Sequence, residues 1–167
     1  TRVKIIENFD NRSKRNQAGG LWSVTASPGS ELKYDYRRSD ALNDFQGSSV
    51  RIVYKSAPKS TVSLDTDLNN FDISQGRELH FWLMSAGDDE HRLFVSLTDS
   101  QGRSAQLPIR RFSQVEDRRS WQEVRIPLRE FYSVDMNNLK TFRLIIQGDK
   151  EGVVQGVFFF DNLIFTG

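Results

Sequence analysis

Alternation of apolar and polar residues with a period of two constrains the fold of this chain more than any other feature. In residues 92–98, for example, Leu93, Val95 and Leu97 occupy every second position. This is the pattern of a strand with one face in a core and the other in water. Apolar residues at helical spacing occur only in two short segments, around Leu42–Phe45 and Leu128–Phe131. The sequence therefore predicts strands along almost its whole length.

Short turn signals, such as Ser27-Pro28-Gly29 and residues 99–103, separate these segments. The strand candidates are 3–9, 21–26, 31–37, 49–55, 60–66, 77–84, 92–98, 104–110, 121–128, 141–147 and 156–165. Many short strands without intervening helices favour an all-β, two-sheet antiparallel sandwich. Because no linker, low-complexity stretch or internal repeat divides the chain, we expect residues 1–167 to form one domain.

The composition excludes several classes of function. The 167 residues contain no Cys, so disulfides, thiolate nucleophiles and cysteine-bound metals are excluded. The two histidines, His80 and His91, lie in no nucleophile motif, and there is no phosphate-binding glycine loop. A net charge of +1 argues against nucleic-acid binding. No apolar run approaches the ~20 residues of a membrane span. Any chemistry must depend on carboxylates, arginines and aromatic side chains.

A carboxylate interrupts or ends an apolar strand near each end of the chain. Glu7 and Asp10 lie in the opening segment, and Asp161 lies in the closing one. A buried charge is costly unless it is paired or binds a metal, and oxygen ligands of this kind suit Ca²⁺. The alternative is that Asp10 begins a turn and Asp161 caps a bulge. The residues alone leave both interpretations open.

Five segments resemble, in order and across nearly the whole chain, carbohydrate-binding modules with a galactose-binding-like jelly roll. They are Ile6–Asp10 (similar to I-D-D-F-E), Phe45–Tyr54 (G-x-x-S-L-x-V-x-Y), Leu79–Leu83 (L-x-F-W-V), Trp121–Leu128 (W-x-x-V-x-I-P-L) and Phe160–Leu163 (I-D-D-I). The resemblance implies a jelly-roll sandwich that binds a polysaccharide or oligosaccharide without cleaving it. It also implies export, to a secreted, periplasmic or cell-surface location, and an attached or partner enzyme that acts on glycans. The chain begins at Thr1 without Met, which we interpret as the removal of a leader, tag or upstream domain.

The resemblance further implies a structural Ca²⁺ ion. In the family, the carboxylates of the opening and closing motifs often bind this ion, and they correspond to Asp10 and Asp161. Backbone carbonyls before the second motif often complete the shell, which indicates Gln46 and Ser48. The chain departs from the pattern in two places, since Asp10 is shorter than the usual Glu and Asn162 replaces a second acid.

A jelly roll alternates its strands between two sheets, and the outer face of one sheet is concave. On this order the concave sheet contains strands 60–66, 92–98, 104–110 and 141–147. Its core side would carry Val62, Leu64, Leu93, Val95, Leu97, Leu107, Ile109, Phe142, Leu144 and Ile146. Its outer side would carry Ser63, Asp65, Arg92, Phe94, Ser96, Gln106, Arg110, Arg143, Ile145 and Gln147, with Tyr34 and Tyr36 at one rim. A register error of one residue would exchange the two sides.

The predicted outer face contains three arginines but only one aromatic side chain, Phe94. Because guanidinium forks suit carboxylates, an acidic polysaccharide is a candidate ligand. Three alternatives remain open: a merely solvated polar face, a protein-interaction domain similar to the complex I intermediate-associated family, and a polysaccharide-cleaving enzyme. The last would need a catalytic cluster on this face, where the sequence supplies only Asp65.

Overall fold

In a computed structural model of the chain, residues 3–7, 9, 13–37, 48–85, 90–113 and 121–167 are described. These residues form eleven strands: β1 Val3–Glu7, β2 Trp22–Ala26, β3 Glu31–Arg37, β4 Ser49–Ser56, β5 Thr61–Phe71, β6 Glu78–Ser85, β7 Leu93–Asp99, β8 Ser104–Pro108, β9 Gln122–Pro127, β10 Leu139–Gln147 and β11 Val154–Thr166. Three 3-10 turns cover Glu90–Arg92, Ile109–Arg111 and Leu128–Glu130. No helix in these ranges is long and apolar enough to cross a membrane.

The strands form two antiparallel sheets that pack face to face. One sheet has the order β3-β4-β11-β6-β9, with β1 also paired to β11, and the other has the order β2-β5-β10-β7-β8. The predicted grouping of strands 60–66, 92–98, 104–110 and 141–147 in one sheet is confirmed, and β2 completes that sheet. The predicted two-sheet sandwich is therefore confirmed.

The core lies between the sheets, and its contents follow the alternation of each strand. All ten residues predicted for the core side of the five-stranded sheet are buried, with Leu107 the most accessible at 8% exposed. An aromatic cluster occupies the centre of the core. The ring of Phe160 lies 5.6–6.3 Å from those of Phe9, Trp22, Phe81 and Phe142.

Several strand ends differ from the prediction. The first strand ends at Glu7 because Phe9 has a left-handed backbone, with a φ of 58°. The strand predicted over 104–110 ends at Pro108, and Arg110 lies in the 3-10 turn that follows. In β11, Asn162 has a φ of 61° beside a bulge between Asp161 and Ile164. The bulge shifts the alternation, so Phe158 and Phe160 face the core before it and Leu163 and Phe165 after it.

The buried carboxylate of Asp99 fixes the hairpin between β7 and β8. It accepts hydrogen bonds from the backbone N–H groups of Gln101, Arg103 and Asp135 at 2.9–3.0 Å, and from Arg103 Nε at 2.9 Å. Burial raises the pKa of Asp99, but the backbone hydrogen bonds and Arg103 outweigh it, so the pKa is lowered overall. The hairpin is thereby joined to the segment that leads into β10.

We expect the Asp99 carboxylate to make the fold sensitive to acid. Because its pKa is lower in the folded chain, its stabilising effect is present at neutral pH and is lost as the pH falls below about 4. Asp99→Asn should therefore unfold at a lower temperature than the wild type at pH 7, with a smaller difference at pH 3. Asp35→Asn, which removes exposed ion pairs to Arg37 and Arg51, is the control and should change little. An equal Tm difference for Asp99→Asn at both pH values would contradict this account.

Candidate functional site

Four outward-facing side chains on the middle strands of the five-stranded sheet are almost inaccessible to water. Ser63, Asp65, Ser96 and Ile145 alternate with core residues and face away from the core, yet they are only 1%, 9%, 6% and 5% exposed. Ile145 is also absent from the buried cluster between the sheets. Neighbouring side chains on the same face must therefore shield these residues from water. These residues lie in the middle of the outer face, and the outer side chains of β5, β10, β7 and β8 are together called the floor.

Strand register arranges this floor in two adjacent rows that cross the strands. Asp65, Arg143, Ser96 and Gln106 lie opposite one another on β5, β10, β7 and β8 and form a polar row. In the neighbouring row, Ser63 is followed by the apolar side chains of Ile145, Phe94 and Pro108. The floor is therefore amphipathic, with hydrogen-bonding groups beside a hydrocarbon strip.

A hydrogen-bond network fixes the polar row. Arg143 donates from Nε to Asp65 Oδ1 at 3.0 Å and from Nη2 to Ser63 Oγ at 2.9 Å. Asp65 Oδ2 also accepts a 2.6 Å bond from Thr25 Oγ1 on β2. The Arg143 guanidinium is thus held by an ion pair across two strands, although it remains partly exposed.

The other predicted arginines lie at the margins of the face. Arg92 is in the 3-10 turn before β7 and forms an ion pair with Asp149 at 3.2 Å. Arg110 is exposed in the turn after β8 and forms no ion pair with the described residues. Gln147 ends β10, opposite Thr61. The structure therefore brings Asp65, Phe94, Gln106 and Arg143 together on the floor and places Arg92, Arg110 and Gln147 around it.

The structure does not bring Tyr34 and Tyr36 to this face. Both lie on β3 of the six-stranded sheet and alternate with exposed residues, so they pack against the core together with Leu32. The ring of Tyr36 is 6.3 Å from that of Phe9, and its hydroxyl donates to the carbonyl of Ser13. Burial raises the pKa of both phenols. The alternation of residues within β3 predicted that Tyr34 and Tyr36 share a face. It did not predict which of the two sheets β3 would join.

Two of the four predicted metal ligands lie in the described residues. Asp161 is 5% exposed at the bulge in β11, and Ser48 is 3% exposed just before β4, the neighbour of β11. Both provide oxygen donors, as Ca²⁺ requires. Asp10 and Gln46 lie outside the described residues. In the part of the chain that is described, no three His, Cys, Asp or Glu side chains are grouped to hold a metal ion.

Glu7 is a buried carboxylate whose role the sequence did not reveal. It is fully buried and accepts hydrogen bonds from Trp22 Nε1 at 2.7 Å and from the backbone N–H of Phe9 at 3.1 Å. These bonds connect the end of β1 to the start of β2. Its position between Ile6 and Asn8 indicated a break in the apolar strand, but nothing in the spacing indicated Trp22 as its partner.

The sequence matches no protein-family model and no curated protein. The structure, however, is similar to a family 11 carbohydrate-binding module of a cellulosomal cellulase of Clostridium thermocellum, with a TM-score of 0.70, 15% identity, and coverage of 100% of this chain and 95% of that one. The structure is also similar to a family 11 module of the same organism in complex with a β-1,3-1,4-mixed-linked tetrasaccharide. The TM-score is 0.70 with 16% identity, and the alignment covers 99% of this chain and 95% of that one.

A third similar structure contains two kinds of module. It is the family 22 binding module and family 10 catalytic module of a Clostridium thermocellum xylanase, complexed with xylohexaose. The TM-score is 0.58 with 11% identity, and the alignment covers 98% of this chain but 28% of that one. Together, the sheet order and these similarities show that the chain has the jelly-roll β-sandwich fold of carbohydrate-binding modules.

Proposed function

We propose that the chain is a non-catalytic carbohydrate-binding module that binds a polysaccharide on the outer face of its five-stranded sheet. The observation that carries this proposal is the arrangement of the floor, in which a polar row lies beside an apolar one. A pyranose ring presents C–H groups on its faces and hydroxyl groups on its edges. A glycan lying along the rows, across the strands, would match both.

In this arrangement Phe94 and Ile145 contact the C–H face of a sugar ring. The guanidinium of Arg143, the carboxylate of Asp65 and the amide of Gln106 exchange hydrogen bonds with its hydroxyls. The network with Thr25 and Ser63 fixes Arg143 and Asp65 before the glycan arrives, which reduces the entropy lost on binding.

The charges of the face favour a neutral glycan over the acidic one that the sequence suggested. The guanidinium of Arg143 is neutralised by Asp65, and that of Arg92 by Asp149. A uronate would have to compete with these carboxylates, whereas the marginal Arg110 has no ion-pair partner among the described residues. The similar modules are complexed with neutral oligosaccharides, a mixed-linked tetrasaccharide and xylohexaose.

The absence of catalysis is supported by the state of the one carboxylate on the floor. Asp65 is held by hydrogen bonds from Arg143 and Thr25, and it is a single carboxylate, whereas glycoside hydrolysis ordinarily uses a pair. His80 lies on the opposite sheet, within 3.4 Å of Glu78 and Glu123. We propose that an attached or partner enzyme acts on the glycan outside the cell, as the joined xylanase module and the cellulosomal origin of the similar module suggest.

Affinity electrophoresis in gels containing a polysaccharide tests this function. We expect the wild type to be retarded by a neutral β-glucan or xylan and to run freely in polygalacturonate. Arg110→Ala should behave as the wild type. Retardation by the acidic polymer alone, lost in Arg110→Ala, would instead support the acidic ligand. Free migration in every gel would contradict a glycan-binding function.

A structural Ca²⁺ ion near Asp161 and Ser48 forms a further part of the proposal, with Asp10 and Gln46 as the other ligands. Such an ion would join β11 to the start of β4 and the end of β1, and so stabilise a chain without disulfides. We expect millimolar Ca²⁺ to raise the Tm of the wild type relative to a chelator, and to leave that of Asp161→Asn unchanged. An identical Tm in Ca²⁺ and in chelator would refute the metal site without affecting the glycan site.

A further inference from the structure

Tyr132 is far more exposed than any other large apolar side chain in the described residues. It is 87% exposed, whereas the next, Val153, is 55% exposed. Phe131, the residue before it, is 2% exposed and Val134, two residues after it, is 9% exposed, and both belong to the core cluster. The backbone on each side of Tyr132 is therefore anchored while its ring lies in water. A ligand that packs on the ring would therefore have to order the side chain but not the backbone.

The segment that carries Tyr132 lies against the open edge of the five-stranded sheet. Ser133 Oγ donates a 3.0 Å hydrogen bond to the carbonyl of Ser104, which begins the edge strand β8. Two residues further on, the N–H of Asp135 donates to the buried Asp99 carboxylate, which also holds the β7–β8 hairpin. Tyr132 is thus fixed beside β8, where the rows of the floor end.

The pairing of Ser104 indicates where Tyr132 lies relative to the two rows of the floor. Ser104 is paired with Thr98, and Thr98 with Thr141, in the row next to Gln106 and Arg143. The floor from β5 to β8 spans three strand spacings, about 14 Å. A short oligosaccharide would fill this width, and a longer chain would continue past β8 toward Tyr132.

We infer that Tyr132 is a second aromatic contact for the glycan, which binds a sugar unit beyond the edge of the five-stranded sheet. This inference rests on the proposed function and adds a subsite to it. The surroundings favour a sugar over a protein partner, because the nearby side chains of Arg103, Ser104 and Gln106 are polar and exposed. They would hydrogen-bond to hydroxyls of the same sugar that packs on the ring.

Titration calorimetry with oligosaccharides of increasing length tests the subsite. The probes are a tetrasaccharide and a hexasaccharide of mixed-linked β-1,3-1,4-glucan, with xylotetraose and xylohexaose as a second series. Tyr132→Ala should bind the tetrasaccharide of the preferred series as the wild type does and the hexasaccharide about tenfold more weakly. Tyr132→Trp should retain the wild-type affinity for both. Val153→Ala, an exposed change just before β11 of the six-stranded sheet, is the control.

The outcomes separate this inference from the proposed function. Equal affinity of Tyr132→Ala and wild type for the hexasaccharide, while Phe94→Ala binds more weakly, would overturn the subsite alone. An equal loss on the tetrasaccharide and the hexasaccharide would also overturn it, because the contact would not lie beyond the edge. No binding of either series by the wild type would overturn both the subsite and the proposed function.

Discussion

Phe94→Ala should weaken glycan binding about 10- to 30-fold, or about 1.4–2 kcal/mol. Phe94 is the only aromatic side chain on the floor of the five-stranded sheet, and it lies in register with Ile145 on β10 and Pro108 on β8. Its removal would interrupt the apolar row at its centre and leave the C–H face of the sugar without an aromatic partner. Affinity electrophoresis or calorimetry with the preferred polysaccharide measures the loss.

Phe159→Ala is the matched control for this prediction. Phe159 alternates with the core residues Phe158 and Phe160, so it faces outward from the six-stranded sheet, where its ring lies 6.5 Å from that of Trp121. The same truncation on the opposite sheet should leave affinity within twofold of the wild type. If Phe159→Ala weakened binding more than Phe94→Ala, the site would lie on the six-stranded sheet, which would contradict the proposal.

Phe160→Ala should lower the free energy of unfolding by about 3–5 kcal/mol. Its ring is fully buried and contacts four other rings, which come from both sheets and from Phe9, two residues after β1. Truncation would leave a cavity that rigid aromatic neighbours fill poorly. Because a domain of this kind is marginally stable, at about 5–15 kcal/mol, the loss would be a large share of the total.

Urea unfolding measures this effect, with two companion variants that keep the result interpretable. Phe160→Leu should lose less than Phe160→Ala, since it leaves a smaller cavity. Phe159→Ala, one residue away on the half-buried outer face, should lose less than either. If Phe159→Ala and Phe160→Ala lowered the free energy of unfolding equally, this would contradict the assignment of Phe160 to the core and of Phe159 to the outer face.

The sequence predicted the strands and their faces because alternation is a local signal. In β7 and β10, the apolar residues Leu93, Val95 and Leu97, and Phe142, Leu144 and Ile146, recur at every second position, and the structure places them in the core as predicted. Alternation did not predict where β8 ends. The pattern continued to Arg110, but a 3-10 turn begins at Ile109, so Arg110 lies at the margin of the face.

Sheet membership and side-chain partners depend on contacts distant in the sequence, and alternation does not report them. Tyr34 shares a face with Tyr36 as predicted, but β3 pairs with β4, so both tyrosines pack against the core. Thr25 was missed because no local pattern shows that β2 pairs with β5. The Arg143–Asp65 ion pair joins residues 78 positions apart, so the sequence did not reveal that Asp65 is the partner of this arginine.

Amide chemical-shift mapping during a glycan titration tests most directly whether the outer face of the five-stranded sheet binds a glycan. We expect the largest chemical-shift changes in β5, β10, β7 and β8, around Asp65, Arg143 and Phe94. The amide shifts of the six-stranded sheet should change little. Shifts concentrated on the outer residues of β4, β6 and β11 would contradict it.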